Sequence, residues 1–184
     1  MADIAAADSA ASALTVVLPK EYPLILLSCV ILCIECFMLG PLVVAPARFR
    51  TFTKEFMEQF KEEHQAAFPG SSPATGGFPD CGEGRYSQKL PYADWVKFNN
   101  SMRTHLNFVE QLPVVLTILC ISGLFLPKVT MYVGFINAGA RIIYTAMYVT
   151  RGSNSRVIGA VSGSLPLYLL MIATFVFAFM EVAK

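Results

Sequence analysis

Apolar and polar positions along this 184-residue chain fall into four long apolar stretches, the first set apart from the other three by a long polar segment. The stretches cover about residues 22–45, 104–126, 129–150 and 157–182. Each is near or above the roughly 18–20 residues that a helix needs to cross the hydrocarbon of a bilayer. Pro127–Lys128 and Arg151–Arg156 join the last three, and connections this short fit antiparallel hairpins. The pattern predicts an all-α, integral membrane four-helix bundle with up-down topology, one domain over residues 21–184. Residues 1–20, rich in Ala and Ser, read as a mobile or lightly helical tail. They lack the basic start of a signal peptide and the arginines of a mitochondrial transit peptide.

The polar segment, residues 47–100, reads as a long cytoplasmic loop with one amphipathic helix over Phe49–Phe68. Phe49, Phe52, Phe56 and Phe60 recur at steps of three and four, with charged residues between them. That helix would extend the first span, lie on the interface or dock a partner. Pro69 to Pro79 is loop by composition, and Tyr92, Trp95 and Phe98 suit an interfacial belt. Gly40-Pro41 and Pro46 are expected to kink or end the first helix. Glu35, midway along that span, is expected to form a structural hydrogen bond between helices.

Composition agrees with a membrane location: 55% of residues are hydrophobic and 15% charged, against about 25% charged in a soluble domain. Ten Lys and Arg residues lie on the side of the first and third connections, against three on the other, which places those connections in the cytoplasm. Cys29, Cys33, Cys36 and Cys120 sit in apolar spans as small hydrophobes, Cys81 sits in a Gly-rich loop, and no metal site is expected. The basic residues neither cluster nor interleave with exposed aromatics, so nucleic acid is not an expected partner.

The chemistry lies in two polar stripes. Arg103, Asn107 and Glu110 stand at i, i+4 and i+7, within a sector of roughly 60° on one helix face. Asn137, Arg141, Tyr144 and Tyr148 form a similar stripe on the next span. One reading is a buried salt bridge from Glu110 to Arg103 or Arg141. The other is a polar pocket between helices that binds a small anion, because arginines take carboxylates through two parallel hydrogen bonds and the tyrosines add hydroxyl donors. Glutathione, with two carboxylates, an amine and a thiol, suits such a set, and a neighbouring arginine would favour its thiolate. A channel would need a pore lined along its whole length, whereas these polar residues gather toward one side.

Arg103-Thr-His-Leu-Asn107-Phe-Val-Glu110 resembles the Arg-x-x-x-Asn-x-x-Glu signature of the MAPEG superfamily, membrane-associated proteins of eicosanoid and glutathione metabolism. Ala140-Arg141-Ile-Ile-Tyr144-Thr-Ala-Met-Tyr148 is similar to the third-helix motif of leukotriene-C synthases and microsomal glutathione transferases, and Ala47-Arg48 also fits. The resemblance implies a homotrimer that binds glutathione between subunits near the cytoplasmic face. Arg48, Arg103, Asn107, Glu110, Arg141, Tyr144 and Tyr148 would hold the tripeptide, and Arg156 would activate its thiol, with Arg151 as the other candidate. Val157 and Ala160 stand where polar residues are common in the family, and the first loop is long.

The expected activity is that of a glutathione transferase or peroxidase in the endoplasmic reticulum or another endomembrane, with a mitochondrial membrane as the other location. It would act on lipophilic electrophiles or lipid hydroperoxides arriving from the bilayer. The alternative is a non-catalytic MAPEG-like structural or regulatory subunit that docks a larger membrane complex through Phe49–Phe68.

Overall fold

The computed structural model describes residues 17–183, and every regular element among them is helical. The tail expected over residues 1–20 falls mostly outside the described residues. Helix α1 (Tyr22–Leu39) passes through a π-helical turn, Gly40–Val44, into α2 (Ala45–Thr51). The prolines therefore do not end this helix. Pro41 and Pro46 lack the N–H of a regular ladder, and the wider π turn lets the helix continue past them. Two short helices follow, α3 (Lys54–Glu58) and α4 (Lys61–Ala67), then 3-10 turns at Thr75–Gly77 and Ser87–Lys89. Three long helices complete the chain: α5 (Tyr92–Phe125), α6 (Pro127–Arg151) and α7 (Val157–Val182).

The connections between the long helices follow from local chemistry. A single residue, Leu126, joins α5 to α6, because the residue before Pro127 is pushed out of the helical region. Pro127 then opens α6, where its missing N–H has no partner to lose. Gly152 ends α6 at φ +87°, and the 3-10 turn Ser153–Arg156 leads directly into α7.

Among the described residues, three helical stretches are long and apolar enough to cross a membrane: Tyr22–Thr51, Tyr92–Phe125 and Ser153–Val182. Helix α6 has the length, about 37 Å at 1.5 Å per residue, but its polar stripe makes it less apolar than the other three. It packs on α1, α5 and α7, while α1 and α7 each also touch α5. Ile25, Leu32, Leu119 and Leu170 fill the centre of this packing. Lipid tails give helices no hydrophobic reason to associate, so close approach and hydrogen bonds must hold them. Thr174 Oγ1 donates to Ser122 Oγ at 2.7 Å, Asn137 Nδ2 to the Gly163 carbonyl at 3.2 Å and Tyr22 Oη to the Cys120 carbonyl at 3.2 Å. The outer faces are apolar, with Phe37, Leu42, Phe175 and Phe179 exposed.

The segment expected as a loop over 47–100 is largely ordered. Helix α5 begins at Tyr92, twelve residues before the predicted start, so the expected aromatic belt is its first two turns. The predicted single helix Phe49–Phe68 breaks at Phe52 and again near Phe60. The breaks turn its aromatic face inward. Phe52, Met57 and Phe60 form a second core with Phe98 and Met102 of α5. Phe52 meets Phe98 edge-on at 4.9 Å between ring centroids, and Phe60 meets Tyr86 at 4.7 Å.

Candidate functional site

Asp80 shapes the wall of a cavity of about 510 Å³, which Cys81, Glu83, Arg85, Asn99 and Arg103 also line. Its Oδ1 accepts from the Gly82 N–H at 2.7 Å, the Gly84 N–H at 3.1 Å and Ser87 Oγ at 2.6 Å, and its Oδ2 accepts from the Ser87 N–H at 2.7 Å. Burial by itself would raise the pKa of this carboxyl, but the donors of Ser87, Gly82 and Gly84 outweigh it and hold the carboxyl below its usual range. A depressed folded pKa means that the cage adds stability above the unfolded value, about 3.9, and loses it as pH falls through the lower folded value. Asp80→Ala should cost about 1–3 kcal/mol. It should also speed hydrogen exchange of the Gly82, Gly84 and Ser87 amides at neutral pH. Unchanged exchange would show that the loop does not need the cage.

Arg103 of α5 faces this cavity and is exposed. Glu110, on the same helix, is also exposed. The ion pairs among the described residues are Lys61–Glu58 and Arg85–Glu63, so the salt bridge from Glu110 to Arg103 or Arg141 is not formed. Arg48 is placed apart from the α6 stripe. It is 3% exposed, donates to the carbonyls of Gly76 at 3.1 Å and Gly77 at 3.4 Å, and lies over the Phe78 ring at 4.3 Å. In this chain Arg48 fastens the loop to α2.

The other predicted residues gather along α6, where Asn137, Arg141, Tyr144 and Tyr148 are all buried. At the first level, Arg141 Nη2 donates to Gln111 Oε1 at 2.6 Å, and its guanidinium lies 4.5 Å from the Phe108 ring centroid. At the second, Asn107 Nδ2 donates to Tyr144 Oη at 2.8 Å. At the third, Arg156 Nη1 donates to Tyr148 Oη at 3.2 Å and its guanidinium stands 5.1 Å from that ring's centroid. These levels run from Arg141 to Tyr148, about 10 Å of helix. Arg151 is exposed, so of the two candidate arginines at this turn Arg156 is the one that meets Tyr148.

Helix α7 comes close enough to set this geometry because of Gly159. A Cβ there would collide with the backbone N and Cα of Tyr144. Gly163, one turn on, has 3.1 Å between its notional Cβ and that of Ala140. A small-xxx-small pair thus seats α7 on α6 and brings Arg156 to Tyr148.

Two residues here were missed from the sequence. Gln111 follows the predicted stripe and reaches Arg141 from its flank. Asp80 was passed over inside a loop, although an Asp followed by Gly82 and Gly84 is the pattern of a side chain that caps its own turn. Beside Arg141 and Tyr144 is a cavity of about 30 Å³ where the buried Asn137 Oδ1 lacks a partner, enough room for a water. It has no room for a peptide. The group can offer cationic and hydroxyl donors to an anion at its edge, around Tyr148 and Arg156, and Arg141 remains a buried cation without a carboxylate bonded to it.

No curated protein matches this chain. The MAPEG family model matches residues 25–176, from the first helix through most of α7, and the chain belongs to that family of integral membrane proteins.

Proposed function

We propose that this protein is a membrane-bound glutathione transferase or peroxidase, built as a homotrimer of four-span bundles with glutathione held between subunits. The observation that carries the reading is the division of the polar residues. Asn107, Arg141, Tyr144, Tyr148 and Arg156 are already arranged along α6, whereas Arg103 and Glu110 lie exposed and form no ion pair within the chain. A site completed by a neighbouring copy has this form. The exposed pair would meet the ligand only when a second subunit closes over it. Family membership supports glutathione or eicosanoid chemistry at the coarse level.

In this reading Arg103, Arg141 and Asn107 take the glutathione carboxylates, and Glu110 accepts from its ammonium. Tyr148 and Arg156 face the thiol. Lipophilic electrophiles or lipid hydroperoxides reach it from the bilayer, in an endomembrane with the polar loops on the cytoplasmic side. Rate enhancement comes from holding the thiolate and substrate together and from stabilising charge, without a protein nucleophile. The docking alternative relied on the phenylalanine face of Phe49–Phe68, but Phe52 and Phe60 are buried in the chain's own second core.

The test has two parts. The purified protein should conjugate glutathione or reduce lipid hydroperoxides across a broad electrophile panel, and no activity throughout the panel would overturn the reading. Asn107→Leu and Arg141→Met should each weaken glutathione binding about tenfold or more, as expected for loss of a charged or buried hydrogen bond. Calorimetry showing unchanged affinity in both would remove the pocket as assigned.

A further inference from the structure

Glu35 lies midway along the continuous helix Tyr22–Thr51 and has no part in the proposed glutathione site. Contrary to the sequence expectation, it forms no interhelical hydrogen bond: its Oε2 is buried and has no partner. An ionisable group at this depth is costly to keep and normally faces something that rewards it. What Glu35 faces is a groove of about 330 Å³ between α1, α5 and α6, within the range of small-molecule sites. Glu35 and Arg141 are its charged residues. Elsewhere its walls are almost wholly apolar, including Met38, Leu42, Phe108, Ile142 and Ala146. Leu42 is 66% and Ile142 61% exposed, so the groove opens sideways on the apolar face of the helices.

We propose that this groove binds an uncharged, single-chain lipid with a hydroxylated head. The two polar groups select the head. One carboxyl and one guanidinium share the groove. A head with a single charge suits at most one of them. A hydroxyl satisfies both, donating to Glu35 Oε2 and accepting from Arg141. The apolar walls take the chain, and the lateral opening admits it from the bilayer. This site shares Arg141 with the proposed glutathione site but rests on a different observation, the unpartnered carboxylate oxygen above an apolar groove.

The experiment measures lipid retention by the purified full-length oligomer in detergent, using native mass spectrometry. The probes are 1-oleoylglycerol, methyl oleate, oleate and oleylamine. Oleoylglycerol should bind about tenfold more tightly than methyl oleate, the difference expected from one satisfied buried polar contact. Glu35→Leu removes the acceptor, and Ala146→Phe fills the groove from its exposed side; each should abolish that preference. Glu35→Gln, which keeps an acceptor oxygen, should retain it. Ala146→Phe should leave glutathione affinity unchanged, so failure of the lipid site is distinguishable from failure of the glutathione reading. Equal binding of methyl oleate would overturn the proposal, as would a preference for oleate or oleylamine or full retention in both variants. Absence of oleoylglycerol, with the oligomer falling apart in Ala146→Phe, would instead assign the groove to a neighbouring subunit.

Discussion

Arg156→Ala should lower glutathione turnover about a hundredfold, the loss typical of deleting one preorganised charge-stabilising donor, while glutathione affinity changes far less. The reason is its position. Arg156 ends the 3-10 turn that opens α7, and its Nη1 donates to Tyr148 Oη at 3.2 Å. Because Tyr148 accepts that bond through oxygen, its own O–H stays free to donate to a sulfur anion. A guanidinium and a hydroxyl side by side favour thiolate over thiol, whereas in the proposed site the rest of the peptide is held elsewhere along α6. Removing the cation therefore acts on the ionisation of the thiol more than on binding. The pH at which the rate is half-maximal should climb toward the ordinary thiol range, about 8.5, and the ultraviolet absorbance of bound thiolate should fade at neutral pH. Arg156→Lys keeps a charge and should recover part of the rate. Arg151→Ala, at the exposed end of α6, should leave both readouts near their starting values. The opposite ranking of Arg156 and Arg151 would place the thiol on the other side of Gly152.

How far the sequence could be read depends on the range of the forces involved. Period and polarity are local, so the four long helices and the shared face of Arg103, Asn107 and Glu110 were legible. The short connections were legible too, although the structure moves the first from Pro127–Lys128 to Leu126, with Pro127 already inside α6. The start of α5 was not. Its first turns mix aromatic and charged residues, a pattern that looks interfacial until Phe98 and Met102 find Phe52 and Phe60 some 40 residues earlier in the chain. The destinations of one stripe were equally hidden. Asn107 turns to Tyr144, Arg103 to the loop braced by Asp80, and Glu110 outward, because partners come from helices that meet only after packing. Arg48 shows the same limit: a motif can place an arginine after the first span, but it does not reveal that two glycine carbonyls and Phe78 surround it.

A large effect on stability should come from a single methyl at Gly159. Gly159→Ala places Cβ against the backbone of Tyr144, where no side-chain rotation can relieve the clash and α7 must move away from α6. Overpacking a tight interface costs about 1–3 kcal/mol, sometimes more, and each kcal/mol lowers the unfolding midpoint of a chain this size by about 2–4 °C. Gly139→Ala supplies the control. It adds the same methyl to α6 but meets nothing within 4 Å, so its midpoint should hold or rise slightly. The damage at Gly159 should also reach the chemistry. Separating α7 from α6 pulls Arg156 off Tyr148 and disturbs Tyr144 together with its bond from Asn107. Glutathione affinity and thiolate formation should then fall together, unlike in Arg156→Ala, where ionisation suffers far more than binding. Equal thermal midpoints for the two alanine variants would mean that the helices do not meet at Gly159, and the placement of Arg156 beside Tyr148 would fall with that contact.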